Sequence, residues 1–440
     1  MTGKMKPSGV AWIGDIPEGW EMSRVKYHYE ISLGKMLQPL PLALTDTLEY
    51  YMCSANITWN GISLTPLKQM WFNASEKAQY KLRKGDLLVT EGGDVAVSCI
   101  WNGEVEDCYL QNAAHRVRQI GAAGNRFLYY WLFLCKHTGY IDQICNKATI
   151  AHFTKEKFGE IPLCVMRISE QKAIADFLDV QCAKIDSVIA DIEKQIETLQ
   201  KYKKSLITEV VTKGLDRSGP MKDSEIDWIG DIAKNYCVRR LKYLTVIKDG
   251  THDTPDYVDE SEDSYPLITS KYINYETKDI NFEEAKHISK SDFEKIYKRS
   301  DVEYGDIIMP MIGTIGNPVI VQTHRKFAIK NVALFKTSVD LITAKYIFYQ
   351  FYSDILSEQF SIMSRGGVQS FVSLEVLGNL LFIDCTHEEK QQIVEYLDAK
   401  CSHIDEVINQ KKQQLSVILH HKKSLIYEYV TGKKRVTEVN

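Results

Sequence analysis

The chain has 440 residues, of which 44% are hydrophobic and 25% are charged, and its formal net charge is -4. This length predicts about two to four domains of ordinary size, and the apolar share is typical of globular proteins. The slight negative charge argues against a histone-like, purely electrostatic nucleic-acid binder, while leaving room for local basic faces.

The cysteines and the hydropathy pattern bear on location. The ten cysteines are scattered singly, without a Cys-x-x-Cys pair, so we expect neither a zinc ribbon nor a thioredoxin-type motif. Reduced thiols are typical of a cytoplasm, and no secretory signal is recognised. No apolar run approaches the ~20 residues that a membrane span needs. We therefore expect a cytoplasmic protein with no membrane partner.

An internal repeat is visible from the first residues. Residues 5–27 and 221–243 share the run Trp-Ile-Gly-Asp-Ile in a similar context, and Lys-Lys-Ser-Leu-Ile recurs from Lys203 and from Lys422. A period of roughly 220 residues is far longer than the ~20–50 residues of a solenoid unit. It indicates a duplicated domain with a connecting element, and such a pseudo-dimer suits a ligand with two sites.

The first globular segment, residues 20–164, is rich in strand-forming residues. Turn signals at Gly61, Gly85 and Gly103 separate its Val-, Ile- and Tyr-rich pieces, which predicts a mixed or largely β domain. The aromatic run at residues 127–134 predicts a buried helix within it.

The second globular segment, residues 238–385, has a similar pattern. Its Tyr-Gly-Asp turn at Gly305 parallels the Lys-Gly-Asp turn at Gly85, and an aromatic run follows in both halves. Residues 54–76 have no obvious counterpart in the second half, so we expect the two segments to differ there.

A long helix is predicted after each globular segment, the first with Ser169 as its N-cap. Apolar residues spaced by threes and fours form a heptad seam of about 40 residues, or about 60 Å. A compact domain has no core of that length, so the two helices are expected to pair with each other. Lys203 and Lys422 interrupt the seam at matching places, and Ile192 is replaced by Lys411. The seam residues predicted to pair the helices or bind partners are Leu178, Ile185, Ile189, Ile196, Leu206, Leu397, Ile404, Ile408, Leu415 and Leu425.

The predicted fold class is α/β (α+β), with two globular domains, two long helices and an internal pseudo-twofold repeat. The seam alone leaves the relative direction of the helices open. The predicted segments are a first globular domain with a framework segment (1–168), a helix (169–214), a second globular domain (215–387), a helix (388–432) and a tail (433–440).

Catalytic signatures are missing from the sequence. There is no phosphate-binding Gly-x-x-x-x-Gly-Lys loop, no Gly-x-Gly-x-x-Gly turn, and no Asn/Asp-Pro-Pro-aromatic run of adenine methyltransferases. Asp384, Glu388 and Lys390 faintly resemble a nuclease set, but acidic residues also favour the start of a helix, which is the simpler interpretation. For the lone His152, packing is the first interpretation and a nucleic-acid contact the second. We predict no catalytic and no metal-binding residue.

Polar loops with small residues carry the stronger binding signal. Small residues let a backbone approach a phosphate, and Arg and Gln can pair with base edges. A plain surface turn is the simpler interpretation of any single loop, but residues 146–153 and 365–371 occupy equivalent places with unlike sequences, as two readers of different half-sites would. The predicted DNA contacts are Lys35, Asn146, Lys147, Thr149, His152, Lys248, Thr251, His252, Lys271, Thr314, Arg365, Gln369 and Ser370.

With these features the chain resembles the specificity (S) subunit of type I restriction–modification enzymes, the HsdS family. The resemblance rests on the paired Trp-Ile-Gly-Asp-Ile runs and the paired helix starts Glu-Gln-Lys-Ala-Ile-Ala-Asp-Phe-Leu and Glu-Lys-Gln-Gln-Ile-Val-Glu-Tyr-Leu. Residues 248–255, 266–271 and 311–317 also look like one class of that family's target-recognition domains. The resemblance covers almost the whole chain.

The resemblance implies that each globular segment reads one half of a split, asymmetric sequence in double-stranded DNA. The helices would run antiparallel, set the spacing and dock two modification (methyltransferase) subunits. S-adenosylmethionine, ATP and Mg would be bound by partner subunits, including restriction subunits, and none by this non-catalytic chain. The alternatives are a coiled-coil adaptor for protein partners and a specificity subunit of a methyltransferase that lacks a nuclease.

Overall fold

The computed structural model describes residues 4–121, 124–145, 152–274, 277–313, 315–364 and 371–436. The chain divides into two compact units, Met1–Ile192 with Gln413–Asn440 and Glu193–Lys412. Each unit combines one globular segment with about half of each long helix. The compact units therefore do not coincide with the consecutive segments expected along the chain.

The first unit contains short strands and a few helices. Its strands are β1 (Met5–Pro7), β2 (Asp15–Pro17), β3 (Glu21–Arg24), β4 (Tyr29–Leu33), β5 (Thr47–Met52), β6 (Ile57–Thr58), β7 (Gly61–Ile62), β8 (Lys68–Phe72), β9 (Leu87–Thr90), β10 (Ser98–Ile100), β11 (Tyr109–Leu110), β12 (Ala114–Gln119) and β13 (Pro162–Val165). Its helices are α1 (Ala74–Tyr80), α2 (Asn125–His137), α3 (Tyr140–Ile144), α4 (Lys155–Gly159) and the first part of α5 (Ile168–Lys213).

The second unit repeats this order. Its strands are β14 (Met221–Asp223), β15 (Asp231–Ala233), β16 (Cys237–Arg240), β17 (Val246–Asp249), β18 (Tyr257–Val258), β19 (Ser264–Ile268), β20 (Ile273–Asn274), β21 (Asp279–Ile280), β22 (His287–Ser289), β23 (Ile307–Pro310), β24 (Val319–Ile320), β25 (Ala328–Ile329), β26 (Val332–Lys336) and β27 (Leu381–Asp384). Its helices are α6 (Lys290–Tyr297), α7 (Leu341–Phe351), α8 (Asp354–Ser364), α9 (Leu374–Gly378) and α10 (His387–Val430), whose last part belongs to the first unit.

The two units share their sheet topology. The larger sheet has the order β10-β9-β12-β4 in the first unit and β24-β23-β26-β17 in the second, with antiparallel pairing throughout. The other sheet contains β11-β5-β8 and β25-β19-β22, respectively, and its pairs β11–β5 and β19–β25 are both parallel. The predicted mixture of helices and sheets in two similar domains is confirmed.

Residues 54–76 do have a counterpart, contrary to the expectation from sequence. The hairpin β6–β7 matches the hairpin β20–β21, and β8 matches β22 in its place in the sheet. The helices α1 and α6 match in chain order, since each follows the matching strand. Backbone pairing is the same while the side chains differ, because a core tolerates many substitutions that keep its volume and its pattern of apolar positions. The shared fold therefore extends beyond the visible repeat.

The repeated Gly-Asp pairs form tight turns, as predicted. Gly85 and Gly305 have φ of +92° and +89°, a backbone conformation that favours glycine. The Asp86 carboxylate accepts hydrogen bonds from Arg118 at 2.6 and 2.8 Å. Asp306 accepts one from Lys336 at 2.7 Å. Each turn is thereby tied to the central strand β12 or β26.

The buried aromatic helix is confirmed as α2, in which residues 127, 128 and 130–135 are buried. The start of α5 differs from the prediction. Ser169 lies inside the helix, because the Arg167 carbonyl already accepts from the amides of residues 170 and 171. The Gln171 side chain bonds the amide of Gly124 and the carbonyl of Met166, so a tertiary contact fixes where the helix begins.

Within each unit the segments of α5 and α10 run antiparallel, as the resemblance implies. In the first unit, Asp186 meets Lys422 at 2.6 Å and the Phe177 ring lies 4.4 Å from that of Tyr429. In the second, Lys203 meets Asp405 at 2.5 Å, and residues 213 and 389 line one cavity. Among the predicted seam residues, Leu178, Leu206, Leu397, Ile404 and Ile408 are buried, whereas Ile185, Ile189, Ile196, Leu415 and Leu425 are half-buried.

Candidate nucleic-acid interface

A glycine directly follows the first long strand of each unit, Gly34 after β4 and Gly250 after β17. A Cβ added to Gly34 would lie 2.4 Å from the carbonyl carbon of Gln111, and one added to Gly250 would lie 1.8 Å from the carbonyl oxygen of Ile329. Any larger residue would collide with backbone, so two chain segments cross there at a distance that only glycine permits. The candidate loops leave the sheet from these two crossings.

In the second unit, separate loops meet at the crossing. The amide of Met311 donates to the carbonyl of Asn331, the amide of Asn331 donates to that of Thr251, and the amide of Val372 donates to that of Met311. We call residues 250–256, 311–313 and 371–372 the second loop cluster. It joins segments that are far apart in the sequence, and of the predicted DNA contacts it contains Thr251 and His252.

The first unit repeats this arrangement with backbone bonds at equivalent places. The Gly34 amide donates to Ala114, the Glu91 amide to Ala113, and the Phe153 amide to Glu91. We call residues 34–46, 91–95 and 152–154 the first loop cluster. The buried His115 ring adds a hydrogen bond of 2.8 Å to the Phe153 carbonyl.

Asp249 organises the charges of the second loop cluster. It is only 7% exposed and accepts hydrogen bonds from Arg299 at 2.8 and 2.5 Å. His252 contacts Asn331 Oδ1 through Nδ1 and Asp249 Oδ2 through Nε2, both at 2.9 Å. Because both ring nitrogens face acceptors, the doubly protonated ring fits best. The bonds to Asn331 and then Asp249 raise the pKa of His252.

The other predicted contacts of the second unit have more local partners. Lys248 forms an ion pair with Asp301 at 2.5 Å. The Thr251 hydroxyl accepts from the amide of Asp253 at 3.1 Å. Lys271 is exposed, with its ammonium 5.4 Å from the centre of the Tyr272 ring.

In the first unit, Lys35 is buried, whereas a phosphate contact needs an exposed cation. It is 6% exposed, and its ammonium donates to Gln38 at 2.6 Å, to the carbonyl of Trp71 at 2.8 Å and to Glu76. All three donors therefore have protein acceptors, and the charge holds the loop onto the domain. His152 is exposed beside the anchored Phe153.

The remaining predicted contacts lie outside the described residues, so their positions stay predictions. They are Asn146, Lys147, Thr149, Thr314, Arg365, Gln369 and Ser370.

The two loop clusters differ in chemistry. In the first, Leu40, Leu42 and Leu44 are 72%, 86% and 107% exposed. The Asp46 carboxylate fixes the backbone of this loop, because it accepts hydrogen bonds from the amides of residues 42 and 43. The second cluster presents polar residues at the corresponding place after the glycine. The same framework thus presents an apolar surface in one unit and a polar, charged one in the other.

Comparisons with known proteins point to one family. A family model described as the type I restriction modification DNA specificity domain matches residues 17–198. The MjaVIII type I restriction enzyme specificity subunit of Methanocaldococcus jannaschii is 26% identical over 319 residues, which cover 71% of each chain. The EcoBI specificity subunit of Escherichia coli is 24% identical over 366 residues, covering 79% of this chain and 73% of that protein.

A solved chain agrees at the level of the fold. It comes from a structure concerned with complex assembly and conformational transition of the type I R-M system, and it covers 95% of this chain and 99% of its own length with a TM-score of 0.62 at 13% identity. The chain is therefore similar to type I specificity subunits over most of its length, and its residues 17–198 match their DNA specificity domain. It is a DNA sequence-specificity subunit of a type I restriction–modification system, with a recognition role rather than a catalytic one.

Some residues of the candidate interface were not predicted from the sequence. Arg299, Lys330 and Asn331 join the second loop cluster, where Lys330 bonds the hydroxyl of Thr254. A usable signal existed for one of them, because Asn112 and Asn331 stand 219 residues apart at the same place in the repeat. Nothing in the local sequence marks Arg299, which reaches Asp249 only through the fold.

The nuclease-like set of the specificity subunit has a structural explanation. Asp384 is 8% exposed and forms ion pairs with Lys390 at 2.7 Å and Arg239 at 3.2 Å. These contacts tie β16 and β27 to the start of α10. Within the described ranges, no group of three or more His, Cys, Asp and Glu side chains could hold a metal ion. None of the helices in those ranges is long and apolar enough to cross a bilayer.

Proposed function

We propose that this specificity subunit reads a bipartite DNA target, with each loop cluster contacting one half. The supporting observation is the combination of one framework with two unlike surfaces. The backbone bonds that gather the loops are equivalent in the two units, whereas the exposed side chains are leucines in one and His252 with its polar neighbours in the other. Two different half-sites require this difference.

The chemistry of each surface suggests what it contacts. A protonated His252 at a loop tip donates hydrogen bonds to phosphate or to base acceptors in the major groove. Exposed leucines make apolar contacts with thymine methyl groups, which also lie in the major groove. The first half-site is therefore proposed to be richer in A·T pairs than the second.

The long helices are proposed to dock two modification subunits. Their framework is similar in both halves of the chain, so two copies of one partner can find similar surfaces. The modification subunits would supply S-adenosylmethionine and methylate adenine, and restriction subunits would supply ATP- and Mg-dependent cleavage. This chain contributes only the contacts that choose the DNA sequence.

The test is to coexpress the chain with its modification subunits and to map methylated adenines across a genome. We expect one split sequence with a spacer of constant length. Exchanging residues 36–44 for the corresponding loop of another specificity subunit should change one half-site and leave the other intact. A continuous recognition sequence, or simultaneous changes in both halves, would contradict the proposal.

A further inference from the structure

A short hairpin in each unit contacts helices as well as the sheets. In the first unit it is β6–β7, with Trp59 at its turn, and in the second it is β20–β21, with Lys278 at its turn. The two residues are 219 positions apart, which is the offset that relates Lys203 to Lys422. Trp59 directly follows β6 and Lys278 directly precedes β21, so both lie in the turns of equivalent hairpins but have unlike side chains.

Trp59 makes an aromatic contact with α2. Its ring lies 5.1 Å from that of Phe133 and 5.9 Å from those of Tyr129 and His137, and its carbonyl accepts from the Tyr129 hydroxyl at 3.0 Å. Phe133 is also linked to α10, because the ammonium of Lys422 lies 5.7 Å from its ring centre. The contact thus connects the hairpin with α2 and the helix pair.

Lys278 makes an ionic contact from the turn of the second hairpin. Its ammonium lies 5.7 and 5.5 Å from the ring centres of Phe348 and Tyr352 at the end of α7, and 3.5 Å from Asp405 of α10. Asp405 also binds Lys203 of α5. Burial, followed by the charge of Lys203, lowers the pKa of Lys278. One carboxylate thus joins the hairpin to both long helices.

The hairpins lie between two hydrophobic cores. Trp59 packs against the core that contains α2 and the helix ends, and also against the core beneath the loop-bearing sheets. In the second unit, Ile273 and Ile280 of the hairpin belong to the core of the sheets, while Lys278 reaches the helices. A contact that links two cores limits how one moves against the other.

We infer that Trp59 and Lys278 are positioning residues that hold each recognition domain at a set angle on its own stretch of the helices, and that they thereby restrict the spacer between the half-sites. This inference rests on the proposed function, since a spacer exists only for a bipartite target. The two contacts differ in their response to salt. An ionic contact is screened as salt rises, whereas an aromatic contact is not.

The test uses the complex with its modification subunits and a DNA library that keeps both half-sites and varies the spacer. Trp59→Leu and Lys278→Met should each raise methylation at spacers one base pair too long or too short, relative to the native spacer, by about three- to tenfold, the range expected for losing one such contact. Trp59→Phe and Lys278→Arg should restore most of the selectivity. Tyr27→Leu and Lys222→Met, at exposed positions, serve as matched controls.

Salt provides a second measurement that needs no folded variant at position 59. Within the range that still permits DNA binding, spacer selectivity of the wild-type complex should fall as salt rises, whereas that of Lys278→Met should not. Unchanged spacer profiles in Trp59→Leu and Lys278→Met, with half-sites intact, would overturn the inference alone. A wild-type complex without split-site methylation would instead overturn the proposed function.

Discussion

The two loop clusters have one backbone and two chemistries. Both are gathered by the same set of amide-to-carbonyl bonds around Gly34 or Gly250, yet one presents exposed leucines and the other a charged network around Asp249. Backbone hydrogen bonds do not depend on side-chain identity, so the framework can persist while the surface changes. In this duplicated chain, backbone hydrogen bonds hold the loops in place, whereas the exposed side chains determine what the loops contact.

The largest effect is expected from breaking the shared crossing itself. Gly250→Ala places a Cβ 1.8 Å from the carbonyl oxygen of Ile329, so the strand must move, and the free energy of unfolding should fall by about 3 kcal/mol or more. Denaturant unfolding followed by circular dichroism measures this. Gly19→Ala, with no neighbouring atom within 4 Å, is the control. Equal stability of both variants would show that the crossing is not required.

The charge of the second cluster should make DNA binding depend on pH. The pKa of His252 is raised by its bonds to Asn331 and Asp249, so the ring is positive below that pKa and loses its charge as pH rises through it. We expect affinity for the target to fall by about tenfold across that transition, the size of one charge-assisted hydrogen bond. Titrating binding of the complex at several pH values tests this. His252→Gln should bind weakly at every pH, and an unchanged pH profile in this variant would contradict the assignment.

The helix pairs allow a direct comparison of the two halves. Lys203 with Asp405 and Lys422 with Asp186 are equivalent ion pairs at 2.5 and 2.6 Å, with each carboxylate about two-fifths exposed. Because solvent screens such pairs, a double-mutant cycle to Ala at each should give a coupling energy of about 0.5–1 kcal/mol. Lys203 should couple somewhat more weakly, since Lys278 shares its carboxylate. A coupling energy near zero at both pairs would show that these two lysines do not stabilise the pairing of the helices.

The smallest effect is expected from His115 of the first unit, which stands at the register position of Ala333. Burial lowers the pKa of His115, so the folded protein keeps the ring neutral while the unfolded chain takes up a proton below about pH 6.5. This histidine's contribution to stability is therefore present above that pH and is lost as pH falls towards the folded pKa. His115→Ala should remove this part of the acid sensitivity in unfolding experiments. His152→Ala, at an exposed position, should not.

Local patterns were sufficient for much of the fold. The heptad spacing predicted two long helices, the Gly-Asp pairs predicted tight turns, and the aromatic run predicted α2, because each depends on residues close together in the chain. The repeat and the paired helix starts were sufficient for the family. These features needed no knowledge of which distant residues meet.

The sequence by itself determined the duplication, the helical seam, the turns and the kind of loop that each half presents. Only the tertiary structure decided that Lys35 is buried, that Arg299 and Asn331 join His252, that residues 54–76 share their fold with the second half, and that each compact unit takes part of both helices. These outcomes depend on contacts between residues far apart in the chain. Periodicity and local propensity carry no information about such contacts, whereas packing and the pairing of buried charges do.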